Sequence, residues 1–216
     1  MNNIIFTLFL LAFSYADNSK YNQAMSHAID LFKIAELKED FLKASNYFYR
    51  ISQAVDNDWL PGYYYALCNF KISLEEKDSF IKDEYLDKSM DLLLPYDSLG
   101  VYQIDSLALS EIYALKAIIL SGKIMIDPMT RGQKYGVLSS QMIEQSISYS
   151  LDNPRPYLVS GQMKFYTPAA FGGGEDKAMP LIKESLERFK NFSALKFWPD
   201  WGFNQAKLLY SQIEKQ

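Results

Sequence analysis

The sequence contains one cysteine and one histidine, and this scarcity excludes several kinds of site. Cys68 has no second cysteine with which to form an intramolecular disulfide, so we expect it to be a buried, unreactive thiol. His27 is the only imidazole, so two-histidine metal sites are excluded and zinc ligation has no support. A nucleophile-and-base device would depend on His27 alone, and no Gly-x-Ser-x-Gly turn occurs. We therefore expect no metal, no cofactor and no enzymatic activity, with His27 solvated or capping a helix.

The chain also lacks a basic surplus and, after its first residues, a long apolar segment. The formal net charge is -4, whereas nucleic-acid binding needs a basic surface that displaces counterions. No later stretch approaches the 18 or so apolar residues of a membrane-spanning helix. We expect no nucleic-acid partner and no transmembrane anchor.

The first residues, "MNNIIFTLFLLAFSYADNSK", have the pattern of a secretory signal peptide. The apolar run from Ile4 to Phe13 has the length of a signal-peptide core and is too short to span a bilayer. Ser14 and Ala16 place small residues at the -3 and -1 positions. No lysine or arginine precedes the run, and the alternative is a buried first helix. We predict that residues 1–16 are a signal peptide and residues 17–216 one exported domain, periplasmic in location.

Apolar residues recur with the spacing of one helix face along the rest of the chain, and period-two alternation is nearly absent. Short turn signals separate these segments. We predict an all-α fold of about nine helices, arranged as four hairpins and a terminal helix. The predicted helices cover approximately residues 20–36, 41–55, 63–74, 78–94, 107–126, 137–151, 157–166, 178–192 and 203–213.

Three turn-and-helix-start segments share a pattern that indicates an internal repeat. "DNDWLPGYYYA" begins at Asp56, "DNPRPYLVSG" begins at Asp152, and "PDWGFNQA" contains Asp200. The steps between these aspartates are 96 and 48 residues, which suits a repeat of two helices plus loops. Asp and Asn accept hydrogen bonds from the first N–H groups of a helix, and proline fits the first turn.

These segments, together with the long run "NPRPYLVSGQMKFYTPAAFGGGEDKAMPLIKESLERF", resemble divergent tetratricopeptide-repeat proteins that Bacteroidetes-type bacteria export. The resemblance covers most of residues 20–216, although residues 75–150 match only in helical pattern. Tyr157 takes the large-aromatic place of the repeat and Gly161 its glycine, while Phe165 comes one place late. The resemblance implies a helical-hairpin solenoid that binds a partner, and no catalytic residues carry over.

The glycine-rich stretch "TPAAFGGGEDKAMPL" looks at first like a phosphate-binding loop. Lys177 is not followed by serine or threonine, and the carboxylates at 175–176 would repel a phosphate. We predict instead a joint at which the glycines turn the chain and Phe171 folds into the core. Because Pro180 fits poorly inside a helix, we expect the next helix to start near Ala178.

Aromatic residues make up 15% of the chain and occur in clusters such as "YYYALC" and "FWPDWGF". Consecutive helical residues point about 100° apart, so one core cannot take three adjacent tyrosines. We name Tyr64, Tyr65 and Trp201 as candidates that line a groove, because Tyr and Trp recur at binding hot spots. The predicted function is a non-enzymatic scaffold of the cell envelope that binds a protein or peptide in a concave aromatic groove. The alternative is a periplasmic small-ligand carrier with a deep pocket closed by Tyr and Trp.

Two copies of "DSL", at residues 97–99 and 105–107, resemble the Asp-Ser-aliphatic sites at which Bacteroidetes glycosylate exported proteins. Ser98, between Pro95 and Gly100, is the predicted acceptor.

The signal-peptide prediction has a direct test. When the full-length chain is expressed in a bacterium with a standard secretion pathway, we expect a mature protein that begins at Asp17. Intact-mass measurement of the protein released from the envelope checks this. A mass that still includes residues 1–16 would support the buried first helix instead.

Overall fold

The computed structural model describes residues 19–56, 58–96 and 104–215, so the predicted signal peptide and Ser98 lie outside the described residues. The described part forms nine α-helices and no strand. No helix within it is long and apolar enough to cross a membrane. The helices are α1 (19–33), α2 (Lys38–Ser52), α3 (Leu60–Glu75), α4 (Ser79–Leu93), α5 (Ser106–Ile126), α6 (Pro128–Tyr149), α7 (Arg155–Tyr166), α8 (Glu175–Asn191) and α9 (Phe203–Glu214).

The helices stack as successive hairpins, which confirms the predicted all-α hairpin solenoid. From α2 onward most helices pack against the next one, and α3 also packs against α5 and α5 against α7. Helices α3, α5 and α7 therefore form one layer, which we call the inner layer. They start at Leu60, Ser106 and Arg155, and α9 starts at Phe203, so successive starts lie 46, 49 and 48 residues apart. Each hairpin buries most of its apolar face against its neighbours.

Two inner helices start with the same hydrogen bond, which explains the sequence repeat. The Asp58 carboxylate accepts the N–H of Leu60 at 2.9 Å, and the Asn153 side-chain oxygen accepts the N–H of Arg155 at 2.9 Å. A proline follows in the first turn of both helices. The accepting side chain thus comes one residue later in the first motif than the alignment of Asp56 with Asp152 suggests.

The core is continuous through the first three hairpins and rich in aromatic rings. Phe48 stacks on Tyr64 with ring centroids 4.8 Å apart, and Phe32 meets the same tyrosine edge-on. Cys68 is fully buried, and this burial raises the pKa of its thiol far above the ordinary value. The thiol therefore stays protonated, and the prediction that Cys68 is a buried residue is confirmed.

The prediction for α6 was wrong at its start, which lies at Pro128 rather than near Val137. The Asp127 carboxylate caps the helix by accepting the N–H of Thr130 at 3.2 Å, and proline occupies the first turn. Asp127 and Pro128 therefore start a helix, although the sequence analysis placed them in a connection between helices. Gly132 and Gly136 both lie within the helix, with open space where a side chain would be.

The glycine-rich stretch is a joint between α7 and α8, as predicted, but two details differ. Gly172 and Gly174 have φ of 83° and 107°, which favour glycine, and the Gly174 N–H donates to the Lys164 carbonyl at 2.8 Å. This bond closes a tight loop outside the helices, so Phe171 is 75% exposed and does not enter the core. Helix α8 begins at Glu175 and includes Pro180.

The joint gives a matched pair of substitutions. At Gly173 a β-carbon would overlap the backbone carbonyl of Thr167, whereas at Gly136 it would meet nothing within 4 Å. We expect Gly173→Ala to lower the free energy of unfolding by about 2 kcal/mol or more. We expect Gly136→Ala to raise it by about 0.5–1 kcal/mol. Urea unfolding followed by circular dichroism checks both, and equal effects of the two variants would contradict this account of the loop.

Candidate binding site

The connection between α8 and α9, residues 192–202, crosses the inner layer and reaches α1; we call it the strap. Asp200 forms an ion pair with Lys33 of α1 at 2.7 Å, and the Lys196 ammonium donates to the Asn22 side chain at 2.9 Å. The end of the chain is thereby joined to its beginning. An open concave groove, as the sequence predicted, would need this side of the inner layer to be free.

The strap covers three aromatic side chains at the start of α3, which we call the inner aromatic face: Trp59, Tyr63 and Tyr64. The Tyr64 hydroxyl donates to the Trp198 carbonyl at 3.2 Å. The Trp201 indole N–H donates to the Tyr63 hydroxyl at 2.9 Å. Trp59 and Trp198 meet edge-on with ring centroids 5.0 Å apart. The chain has three tryptophans, and all of them lie at this contact.

The structure places two of the three predicted groove residues at the strap. Tyr64 is 1% exposed beneath it, and Trp201 is a half-buried residue of the strap itself. Tyr65 is 8% exposed and contacts Tyr49 and the Lys88 ammonium on another side of α3. Both tyrosines are buried in this conformation, so their part in binding a partner stays a prediction.

A fully buried ion pair lies next to the strap, and the sequence reasoning missed it. The Arg155 guanidinium donates from Nη1 to Glu111 Oε1 at 2.7 Å and from Nη2 to the Pro199 carbonyl at 2.5 Å. Phe192 and Trp201 lie against it, with ring centroids 4.8 and 5.2 Å from Cζ. Arg155 Nε and Glu111 Oε2 have no hydrogen-bond partner among the described residues. The available signal was a glutamate inside the largely apolar run "LALSEIYALKAIIL".

Burial controls the protonation of this region. Desolvation raises the pKa of Glu111 to about 7, although the charge and the hydrogen bond of Arg155 act in the opposite direction. Desolvation also raises the pKa of Tyr63 and of Tyr64, so both hydroxyls stay neutral. A single buried carboxyl held by an arginine is not the pair of carboxyl groups that glycoside hydrolysis uses.

The backbone of the strap is strained at one residue. Phe197 has φ of 65°, and it is the non-glycine residue with positive φ in the described part of the chain. A bulky side chain disfavours this region, which is populated only when the surroundings enforce it. The conformation of the strap is therefore maintained by its contacts with the helices rather than by the backbone preferences of its own residues.

Two of the clefts in the described structure are open to solvent. One has only polar side chains in its lining, and the other also includes Leu107 and Phe192. One, of about 570 Å³, lies along α1 and is lined by Ser19, Asn22, Gln23, Ser26, His27, Asp30 and Lys196. His27 is exposed there and meets the Tyr47 ring edge-on at 4.8 Å. The other, of about 610 Å³, is lined by Leu107, Ser150, Asp152, Glu184, Glu187, Arg188, Asn191, Phe192 and Ser193. Among the residues described, no cluster of three metal-ligating side chains occurs.

Exposed apolar side chains concentrate where the two helices of each hairpin join, in a row that we call the apolar edge. Neighbouring turns are tied together: the Glu75 carboxylate accepts the Lys38 N–H at 2.8 Å, and Asp83 pairs with Lys123 at 2.7 Å. Met129 is 87% exposed. A row of this kind is typical of a contact surface. Its members are Ile34, Leu37, Leu74, Phe80, Ile81, Met125, Met129, Tyr166 and Phe171.

The buried carboxyl gives a pH prediction. The unfolded chain releases the Glu111 proton near the ordinary pKa of 4.5, and the folded protein releases it near 7. Between these values the folded state binds more protons, so the stability that this group contributes is present at low pH and is lost as the pH rises through 7. From about pH 4 to about pH 8 we expect the wild type to lose roughly 3 kcal/mol of unfolding free energy relative to Glu111→Gln. Urea unfolding across this range checks it, and parallel curves would contradict it.

Comparison with known proteins finds one binding protein with this architecture. The chain is similar to the solved structure of the HusA haemophore from Porphyromonas gingivalis, with a TM-score of 0.75 and 28% sequence identity over 92% of each chain. That organism is a member of the Bacteroidetes, as the sequence resemblance suggested. No family model and no curated protein matches the chain. The helical architecture is thus shared with a binding protein, while the tetratricopeptide classification stays a prediction.

Proposed function

We propose that this protein is a non-enzymatic binding protein whose ligand is haem or a closely related planar tetrapyrrole. The observation that carries the proposal is the likeness to a haemophore across 92% of both chains. A match of that extent takes in most of the nine described helices of this chain. Fold alone does not fix function, so the chemistry of the site must support it as well.

The side chains at the strap supply the chemistry that such a ligand needs. A tetrapyrrole offers a large flat apolar surface and carboxylate side chains. The inner aromatic face offers three rings, and the adjacent Arg155 offers a guanidinium that suits a carboxylate. A carrier of this kind binds its ligand without chemical change, in accord with the sequence expectation of no enzymatic activity.

The location belongs to the same proposal. The predicted signal peptide at residues 1–16 directs the protein out of the cytoplasm. We place the mature protein in the cell envelope or beyond it, and the periplasm is the compartment that the sequence favoured. Ser98 as a glycosylation acceptor would agree with export.

A protein or peptide partner is the second candidate function, and the apolar edge favours it. The strap occupies the side of the inner layer where the sequence analysis placed the partner groove. The apolar edge is free among the described residues and carries nine large apolar side chains. We assign any protein partner to this edge rather than to a concave groove.

Haemin titration tests the primary proposal. We expect the purified protein to shift the Soret absorption of haemin and to saturate at about one haemin per chain. Because the cleft around His27 is polar, we expect His27→Ala to bind haemin within about threefold of the wild type. Absorption that grows linearly without saturation would contradict haem binding. Loss of binding in His27→Ala would move the site to the cleft along α1.

A further inference from the structure

We propose that the inner aromatic face is a ligand site covered by the strap, and that it takes a planar aromatic molecule bearing a carboxylate when residues 192–202 lift away. The proposal rests on the proposed function for the kind of occupant. It adds the place of binding, the groups that hold the ligand and the movement that admits it.

The two clefts described above suit a flat apolar anion less well than the surface beneath the strap. A site for a flat apolar ligand needs mostly apolar and aromatic walls with a few polar groups. The cleft along α1 is lined by polar side chains alone. The second cleft contains three carboxylates, at Asp152, Glu184 and Glu187, and one cation, Arg188, so its net charge is negative and repels an anionic ligand. Rings that face one another in a compact cluster occur instead where Trp59, Tyr63 and Tyr64 meet the strap.

The hydrogen bonds that fasten the strap are ones that a ligand can replace. When the strap lifts, the Tyr64 hydroxyl loses the Trp198 carbonyl, the Tyr63 hydroxyl loses the Trp201 indole, and Arg155 Nη2 loses the Pro199 carbonyl. Two donors and one acceptor become available beside aromatic walls. Each bond has a strap atom on one side and a helix atom on the other, so the helices need not rearrange.

Arg155 has two N–H groups in the positions that a carboxylate requires once the strap lifts. Its Nη1 is committed to Glu111. Its Nε has no partner among the described residues, and Nε and Nη2 lie along the same side of the planar guanidinium. Departure of the Pro199 carbonyl therefore exposes two adjacent N–H groups, which match the two oxygens of a carboxylate.

The strap is also poised to move. Its backbone is strained at Phe197, and lifting relieves that strain. Its ion pair with α1, between Lys33 and Asp200, is about half exposed on both sides, so water competes with it and it holds the strap weakly. The strap therefore resembles a movable cover more than a regular helix of the solenoid.

A covalent lock tests the movement. Lys33→Cys and Asp200→Cys are combined and joined by a short bis-maleimide, while the buried Cys68 thiol stays protonated and unreactive. We expect the joined protein to bind haemin at least about tenfold more weakly than the wild type. The matched control is the same double variant with both cysteines capped by N-ethylmaleimide, which we expect to bind like the wild type. Circular dichroism confirms that both forms are folded.

The outcomes separate this proposal from the proposed function. If wild-type protein does not bind haemin, the proposed function fails. If it binds and the joined protein binds equally well, the site beneath the strap is overturned and the ligand lies elsewhere. Haemin dimethyl ester tests the carboxylate contact without changing the chain. Binding at least about tenfold weaker than that of haemin supports the Arg155 contact, and equal binding overturns it.

Discussion

The buried guanidinium of Arg155 joins three parts of the chain that are far apart in sequence. It lies at the first residue of α7, its carboxylate partner Glu111 lies 44 residues earlier on α5, and its carbonyl partner Pro199 lies 44 residues later on the strap. The strap can cross the inner layer because this cation donates a hydrogen bond to its backbone carbonyl inside the protein. Without that partner, the carbonyl would be buried and unsatisfied.

We interpret the Glu111–Arg155 ion pair as a feature that positions the strap rather than one that stabilises the fold. Two charges removed from water carry a large desolvation cost, which their attraction offsets only in part, and an apolar pair of similar shape often stabilises a fold as well. The raised pKa of Glu111 reflects that cost. What apolar residues cannot supply is a donor for the Pro199 carbonyl. We interpret the pair as the feature that fixes the position of the strap over the inner aromatic face.

The limits of the sequence reasoning follow from the range of the interactions. Hairpins, caps and the buried Cys68 depend on neighbours in the chain, so the apolar spacing and the Asp-Asn-Pro pattern predicted them. Local sequence signals failed where the same two residues are typical of both a turn and a helix start, as at Asp127 and Pro128 of α6. The strap resembles an ordinary loop, and its partners in α1 and α3 are 134 to 174 residues away. The sequence identified Tyr64 and Trp201 as aromatic candidates. Their hydrogen bonds, from Tyr64 to the strap and from Trp201 to α3, join residues far apart in the chain, so the sequence pattern does not show them.

The arrangement reconciles two findings that otherwise conflict. The haem ligand that we propose needs an apolar, aromatic site, yet the cleft along α1 is polar, the second cleft is acidic, and the aromatic rings are covered. If the cover were part of the solenoid core, binding would require unfolding. Because it is a connecting segment with replaceable hydrogen bonds and a strained residue, binding requires only an exchange of partners. The ligand then forms hydrogen bonds with the groups that are bonded to the strap in the ligand-free protein. Without ligand, the site therefore exposes neither bare aromatic surface nor an unpaired charge to water.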